Sequence, residues 1–289
     1  MPTKRITELP AILRRDVESH KGTFGRGLVL GGSTGMAGAA AMCADAALRS
    51  GAGLITIGAP QSVVPVLAAK TTCPTTHPFA ETDAGSFAAH ALLEAAAVLP
   101  AFTAVAIGPG VGRHPSTCWF VLNVIARLEV PAVIDADGLN NLATDLSVLQ
   151  RRSAPLILTP HPGEMARLAG ISPTDVQAGR IRVAEAFAAA HRVVVVLKGH
   201  ATVVTDGERT YVNTTGNPGM ATGGAGDVLT GVILGLLCQR FEPFAAAQLG
   251  VYLHGLAGDF AAQAKGEAGM IATDILDALP AAFKRHAGN

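Results

Sequence analysis

The chain has 289 residues, in which 22 Lys plus Arg are balanced by 22 Asp plus Glu. Zero net charge excludes a global field for gathering nucleic acid or an acidic membrane, so any electrostatic function has to be local. Hydrophobic residues make up 49% and charged residues 15%, with mean hydropathy +0.37, the composition of a chain with a large buried core and a buried subunit interface.

Residues 1–289 contain no linker and are expected to form a single domain. The opening MPTKRITELP has no apolar export core, and no apolar run reaches the ~18 residues that span a bilayer, so a cytoplasmic, membrane-free protein is expected. Cys43, Cys73, Cys118 and Cys238 form no CxxC pair and read as reduced thiols. Thr7–Arg15 reads as a short opening helix. The apolar strand LVLGG, the alanine-rich helix from Gly38 to Gly51 and the strand LITIGAP make a strand, helix, strand unit. Alternation continues through VVPVLAAK, the helical HALLEAAAVL, the strand AVAIG, the helix STCWFVLNVIARL and the strands AVIDA and LILTP. TDVQAGRIRVAEAFAAAH reads as one amphipathic helix, VVVVLKG as a strand, and ATVVTDG with ERTYVN as a hairpin at the sheet edge. A helix beginning at Asp227, a long alanine-rich helix and TDILDALPAAFKRH, with Thr273 as N-cap, close the chain. The alternation implies an α/β fold: a mostly parallel central sheet with helices on both faces.

Ligands of open α/β sheets gather at the carboxyl ends of the strands, and those positions here are rich in Gly, His, Asp and Glu. The most informative stretch is NTTGNPGMATGGAGDVLTG, Asn213–Gly231. Helix N-termini have free NH groups and partial positive charge, so Gly224, Ala225 and Gly226 read as an anion hole beside the acid Asp227. Such a pair suits phosphoryl transfer, and a capping acid is the plainer alternative. GGSTGMAG is a loose match to the dinucleotide fingerprint, and LITIGAP ends without the ribose-binding acid; the loop reads as substrate-contacting. Asp135 and Asp137 either orient a hydrated Mg2+ or cap the DGLNNL helix. Glu164 is either an outer-sphere Mg2+ partner or a helix cap. His161, between two prolines, reads as held on a rigid, ligand-facing turn; Lys198 is aimed at a phosphate or snorkels at a strand end. Asp259 reads as structural, and Lys21 and Arg26 as solvated.

The blocks HKGTFGRGLVLGGS, AIGPGVG, IDADGLN, LTPHPGEMARL, VVLKGHATVV and GNPGMATGGAGDVLTGVI, spanning His20 to about Asp274, resemble the ADP-dependent NAD(P)H-hydrate dehydratase family. That resemblance implies a ribokinase-like three-layer sandwich. It also implies dehydration of the S epimer of hydrated NADH or NADPH, at the expense of ADP and with release of AMP and phosphate. Asp227 would then be the general base for the C6 hydroxyl. Ala39, Gly110, His161 and Asp227 would contact the hydrated nucleotide, and Lys198, Gly199, His200, Ala201, Thr202 and Gly226 the AMP portion. Mg2+, a homotetramer, and a separate epimerase as functional partner are implied in the same way. Related kinases often carry Asn where this chain has His161 before Glu164. The competing functions are a vitamin-precursor kinase of the same fold and a non-catalytic adenine-nucleotide sensor; a Rossmann oxidoreductase is disfavoured by the weak fingerprint.

Overall fold

The computed structural model describes residues 3–12 and 14–288. Its strands are β1 (Lys4–Arg5), β2 (Arg26–Leu30), β3 (Leu54–Pro60), β4 (Thr75–Phe79), β5 (Ala104–Ile107), β6 (Ala132–Ile134), β7 (Leu156–Leu158), β8 (Val194–Leu197), β9 (Val203–Thr205) and β10 (Arg209–Val212). Its helices are α1 (Ala37–Arg49), α2 (Val64–Lys70), α3 (Ala91–Val98), α4 (Pro115–Ala126), α5 (Asp137–Leu142), α6 (Val148–Arg151), α7 (Pro162–Ala169), α8 (Pro173–Ala178), α9 (Arg180–His191), α10 (Ala225–Cys238), α11 (Pro243–Lys265) and α12 (Ala272–His286).

The strands form one sheet in the order β1-β10-β9-β8-β7-β6-β5-β2-β3-β4. Pairing is parallel from β8 to β4, and β9 turns the sheet antiparallel against both β8 and β10. Side chains of successive strand residues point to opposite faces. Val29, Ala104, Ala106, Val133 and Ile157 therefore face the layer containing α1, α10, α11 and α12. Leu28, Leu30, Val105, Ile107 and Ile134 face the opposite layer, which contains α4, α7 and α9. This is the three-layer α/β sandwich expected from the alternation.

α10 lies at the centre of its layer. Ala104 and Ala106 give it room against β5, and it packs along α1 through Gly231 and Gly235. A Cβ on Gly231 would overlap the Cys43 carbonyl oxygen, and one on Gly235 would lie 2.6 Å from the Ala47 carbonyl oxygen. Of its 14 residues, 12 are buried, leaving Gly226 and Asp227 as the two that are not. A helix apolar on all sides has to be a core helix. Its first turn opens where β6, β7 and β8 end.

Four sequence expectations are corrected. Among the described residues of Thr7–Arg15 there is no helix. Pro10 lacks an NH and disfavours helical geometry at Leu9; the segment instead is irregular, with Ile6, Leu9 and Ile12 against the core and Gln248 Nε2 donating to the Glu8 carbonyl at 2.6 Å. The amphipathic stretch after Pro173 is two helices, because Gly179 leaves helical geometry at φ −142°, ψ 43°. α12 starts at Ala272, and its N-cap is Ile271, two residues before Thr273, with its NH bonded to Asp274 Oδ2 at 2.8 Å. α10 begins at Ala225, so Asp227 is its third residue. In addition, β1 covers the outer edge of the β9–β10 hairpin, and the short polar strand β4 was not foreseen.

Gly231→Ala is expected to destabilise the fold by about 1–3 kcal/mol, because the added carbon forces α1 and α10 apart. Urea unfolding measures this, and an unchanged midpoint would contradict the close packing.

Candidate active site

The carboxyl ends of β6, β7 and β8 meet the first turn of α10. Asp135, directly after β6, is 1% exposed. Its Oδ1 accepts from Lys198 Nζ at 2.7 Å and from Thr159 Oγ1 at 2.8 Å, and its Oδ2 accepts from Thr230 Oγ1 at 2.8 Å. This carboxylate is engaged by the protein through both oxygens. It therefore does not cap α5; Asp137 stands in the first turn of that helix and accepts from Asn140 Nδ2 at 3.0 Å.

Lys198 follows β8, and its ammonium also lies 3.9 Å from Glu164 Oε2. Burial works against its charge, but Asp135 and Glu164 outweigh that and hold its pKa above the usual lysine value. Glu164 and His161 form the capping box of α7. His161 NH donates to Glu164 Oε2 at 2.8 Å, and His161 Nδ1 accepts from the Gly163 NH at 3.0 Å. With Nδ1 an acceptor, the neutral ring carries its proton on Nε2, 3.4 Å from Glu164 Oε1. Burial lowers the His161 pKa, helped by Lys198 and Arg167, and burial raises Glu164 to about 6.

A cavity of about 760 Å³ opens here. Lys198, Gly199, His200, Ala201, Thr202, Ala225, Gly226 and His161, all singled out in the sequence, line it. The loop from Lys198 to Thr202 is held from behind by Arg180, which donates to the Leu197 and Lys198 carbonyls at 3.0 and 3.3 Å. Gly199 turns there at φ 137°, and a Cβ would meet Arg180 Nη1 at 2.6 Å. The opposite loop belongs to the stretch Asn213–Gly231 singled out in the sequence, although these residues were given no individual role there. Asn213, Thr215, Asn217 and Met220 line the cavity from it, and Asp259 of α11 fixes it by accepting from the Gly216 NH and Asn217 Nδ2, each at 3.0 Å. Val251 and the buried His254 add a wall from α11; burial holds His254 neutral, lowering its pKa to about 4. Periodicity marks these α11 positions as core, and only the loop's departure onto that helix brings them to the site.

Gly226 faces the cavity, and a Cβ there would lie 3.2 Å from Lys198 Nζ. The NH groups of this first turn lack intrahelical carbonyl partners, which with the dipole makes an anion site. Asp227 is outside the cavity lining and half-buried. Burial raises the pKa of the Cys43 thiol of α1, and the nearby charges of Asp227 and Asp135 add to the rise. On the α1 side, the loop after β2 and the loop after β5 are tied together: the Gly32 NH donates to the Pro109 carbonyl and Ser33 Oγ to the Gly110 carbonyl, both at 2.8 Å. This brings Ala39 to Gly110, where a Cβ would lie 3.4 Å from that of Ala39. The predicted residues thus divide between two sides of α10: His161, Lys198–Thr202 and Gly226 on the cavity, Ala39 and Gly110 at the α1 loops. Lys21 and Arg26 are exposed and outside the lining.

The family model for NAD(P)H-hydrate dehydratase matches residues 27–281. The chain belongs to the NAD(P)H-hydrate dehydratase family. It is 37% identical over 273 residues to an ADP-dependent (S)-NAD(P)H-hydrate dehydratase of Bacillus subtilis, covering 94% of this chain and 93% of that protein. It is 49% identical over 269 residues to a bifunctional NAD(P)H-hydrate repair enzyme of Moorella thermoacetica, where 92% of this chain matches and spans 51% of the relative's length. A crystal structure of a B. subtilis ADP/ATP-dependent NAD(P)H-hydrate dehydratase, co-crystallised with ATP and Mg2+, superposes with a TM-score of 0.80 at 34% identity, covering 96% and 95% of the two chains. The fold is the ribokinase-like fold of this family.

Mg2+ takes oxygen donors that are free to coordinate it. Among the described residues no three His, Cys, Asp or Glu side chains converge as ligands. Asp135 is occupied by Lys198 and two threonines, and Glu164 is engaged in its capping box. These residues fit a hydrated cation that arrives on a nucleotide and not one ligated by the protein.

Burial raises Asp227 to about 7, with Asp135 and Glu164 adding to the rise and Lys198 opposing it. Its folded pKa lies above the ordinary 3.8, so the fold favours the protonated acid and loses stability as pH climbs from about 4 through about 7. Asn carries no such charge. The stability of Asp227→Asn relative to wild type should therefore grow across that window in urea titrations; an equal difference at both ends would contradict the buried-carboxylate geometry.

Proposed function

We propose that this chain carries out ADP-dependent dehydration of the S epimer of hydrated NADH or NADPH, regenerating NAD(P)H and releasing AMP and phosphate. The observation that carries it is the division of labour at the first turn of α10, where Gly226 faces a cavity with a lysine and Asp227, outside that lining, lies near both Cys43 of α1 and Lys198. Apolar Met220, Leu229 and Val251 suit the adenosine of ADP, and Lys198 with the NH groups of Gly224, Ala225 and Gly226 suits its phosphates. His200, Ala201 and Thr202 lie in the loop that would carry the AMP portion. Ala39, Gly110 and His161 would bind the hydrated nicotinamide nucleotide.

The C6 hydroxyl oxygen attacks the β-phosphorus of ADP, the bond from that phosphorus to the bridging oxygen breaks, and AMP leaves. Asp227 takes the hydroxyl proton. Lys198 and the helix NH groups meet the charge that grows on the equatorial oxygens. The C6 phosphate is a far better leaving group than hydroxide; the ring nitrogen lone pair expels it, and loss of a C5 proton to solvent restores the dihydropyridine. A nucleotide-borne Mg2+, with Glu164 as an outer-sphere partner, would neutralise phosphate charge. A carboxylate raised to about 7 is matched to proton transfer near neutrality. Cytoplasmic localisation, a homotetramer and an epimerase partner belong to the same proposal. The relative named a bifunctional repair enzyme, of whose length the match spans 51%, supports pairing with a second activity. Among the described residues, no helix is long and apolar enough to cross a membrane.

Hydrated NADH supplied with ADP and Mg2+ should recover the absorbance of NADH, with one AMP released per turnover. Absence of both with folded protein would overturn the proposal. Asp227→Asn should lower kcat by about 10²–10⁴-fold, and the acid limb of the wild-type kcat/KM profile should fall near pH 7. Retained turnover in that variant would remove Asp227 from the base role.

A further inference from the structure

Asp135 has no role in the chemistry above, yet it is the most enclosed charge at the site. Its three hydrogen-bond donors come from three different elements: Thr159 after β7, Lys198 after β8 and Thr230 inside α10. A buried carboxylate held by donors on both oxygens is fixed in place, and whatever it holds is fixed with it. What it holds is the Lys198 ammonium, at 2.7 Å and beside the position a Gly226 side chain would occupy. Other carboxylates compete for that ammonium. Glu164 Oε2 stands 3.9 Å away, and Asp227 is near enough to act on the lysine's charge.

We propose that Asp135 is a positioning residue, pinning the Lys198 ammonium beside Gly226 so that the cation meets the phosphoryl group in transfer and stays clear of the Asp227 carboxylate. What Lys198 meets rests on the proposed function; the pinning does not. Lysine is a point charge on a flexible stem with three rotatable donors, so its usefulness at a phosphate depends on what fixes it. Thr159 and Thr230 donate to Asp135 on Oδ1 and Oδ2, and the lysine is its single charged partner among the residues bonded to it. Without Asp135, the ammonium turns to Glu164 or Asp227, and a base paired with lysine is a weaker base. The titratable groups facing the ammonium are Asp135, Glu164, His161, Asp227 and His254, while Cys43 and Arg167 act on the same carboxylates.

The test uses Asp135→Asn and, as a milder variant that keeps the ion pair, Thr230→Val. The first readout needs no ligand: the acetylation rate of Lys198, followed by mass spectrometry in the folded, ligand-free protein. Losing the counter-charge while burial remains should raise it about tenfold in Asp135→Asn, equivalent to one unit of lysine basicity, with a smaller rise in Thr230→Val. The second is turnover with hydrated NADH and ADP, where kcat should fall about 100-fold in Asp135→Asn with the KM for ADP changed far less. Its acid limb should also move to lower pH. Lys198 labelling at the wild-type rate in both variants overturns the pinning, as does an Asp135→Asn enzyme with unchanged kcat and pH profile. Should wild type fail to regenerate NADH, the proposed function fails alone, because the labelling still decides whether Asp135 holds the lysine.

Discussion

α10 is buried along its whole length except at its first turn, and the rest of the site follows from that constraint. A helix with valine, leucine, isoleucine and glycine on every side has no solvent face, so it sits at the centre of its layer, against the sheet and flanked by α1, α11 and α12. Its polar start can open only where the strands end. The same packing that makes α10 a core element therefore delivers Gly226 and Asp227 to the carboxyl edge of the sheet, with Gly231 and Gly235 setting how closely α1 follows.

The electrostatics of that edge are costly. Asp135, Glu164 and Asp227 surround one ammonium, and burial pushes both Glu164 and Asp227 above the usual carboxylate range. Like charges in a low-dielectric site cannot all ionise freely, so proton affinity is shared unequally. Asp135 has Lys198 and two hydroxyl donors, while Asp227 has none of these and emerges as the group ready to accept a proton. Perturbed acids of this kind are maintained at functional sites, where the surrounding packing offsets their cost.

Much of this was legible in the sequence because it rests on short-range patterns. Alternating apolar strands and glycine-terminated helices gave the sheet and its layers, and the strand-end residues gave Lys198–Thr202, His161 and the α10 turn. What escaped depends on distant contacts. Asp135 reads equally as cap or metal partner until Thr159, Thr230 and Lys198 converge on it from 24 to 95 residues away. Val251 and His254 look like ordinary core positions until the loop clamped by Asp259 is laid across α11. The opening segment was misread because its apolar spacing resembles a helix, although Pro10 prevents one.

The division of α10's first turn between a nucleotide cavity and a hydroxyl acceptor can be followed by the fate of one oxygen atom. Hydrated NADH prepared with 18O at the C6 hydroxyl should, on treatment with ADP and this protein, yield inorganic phosphate bearing that 18O, seen as an isotope-shifted 31P resonance. Label appearing in water, with unlabelled phosphate released, would contradict phosphoryl transfer to the C6 hydroxyl and with it the role assigned to Asp227.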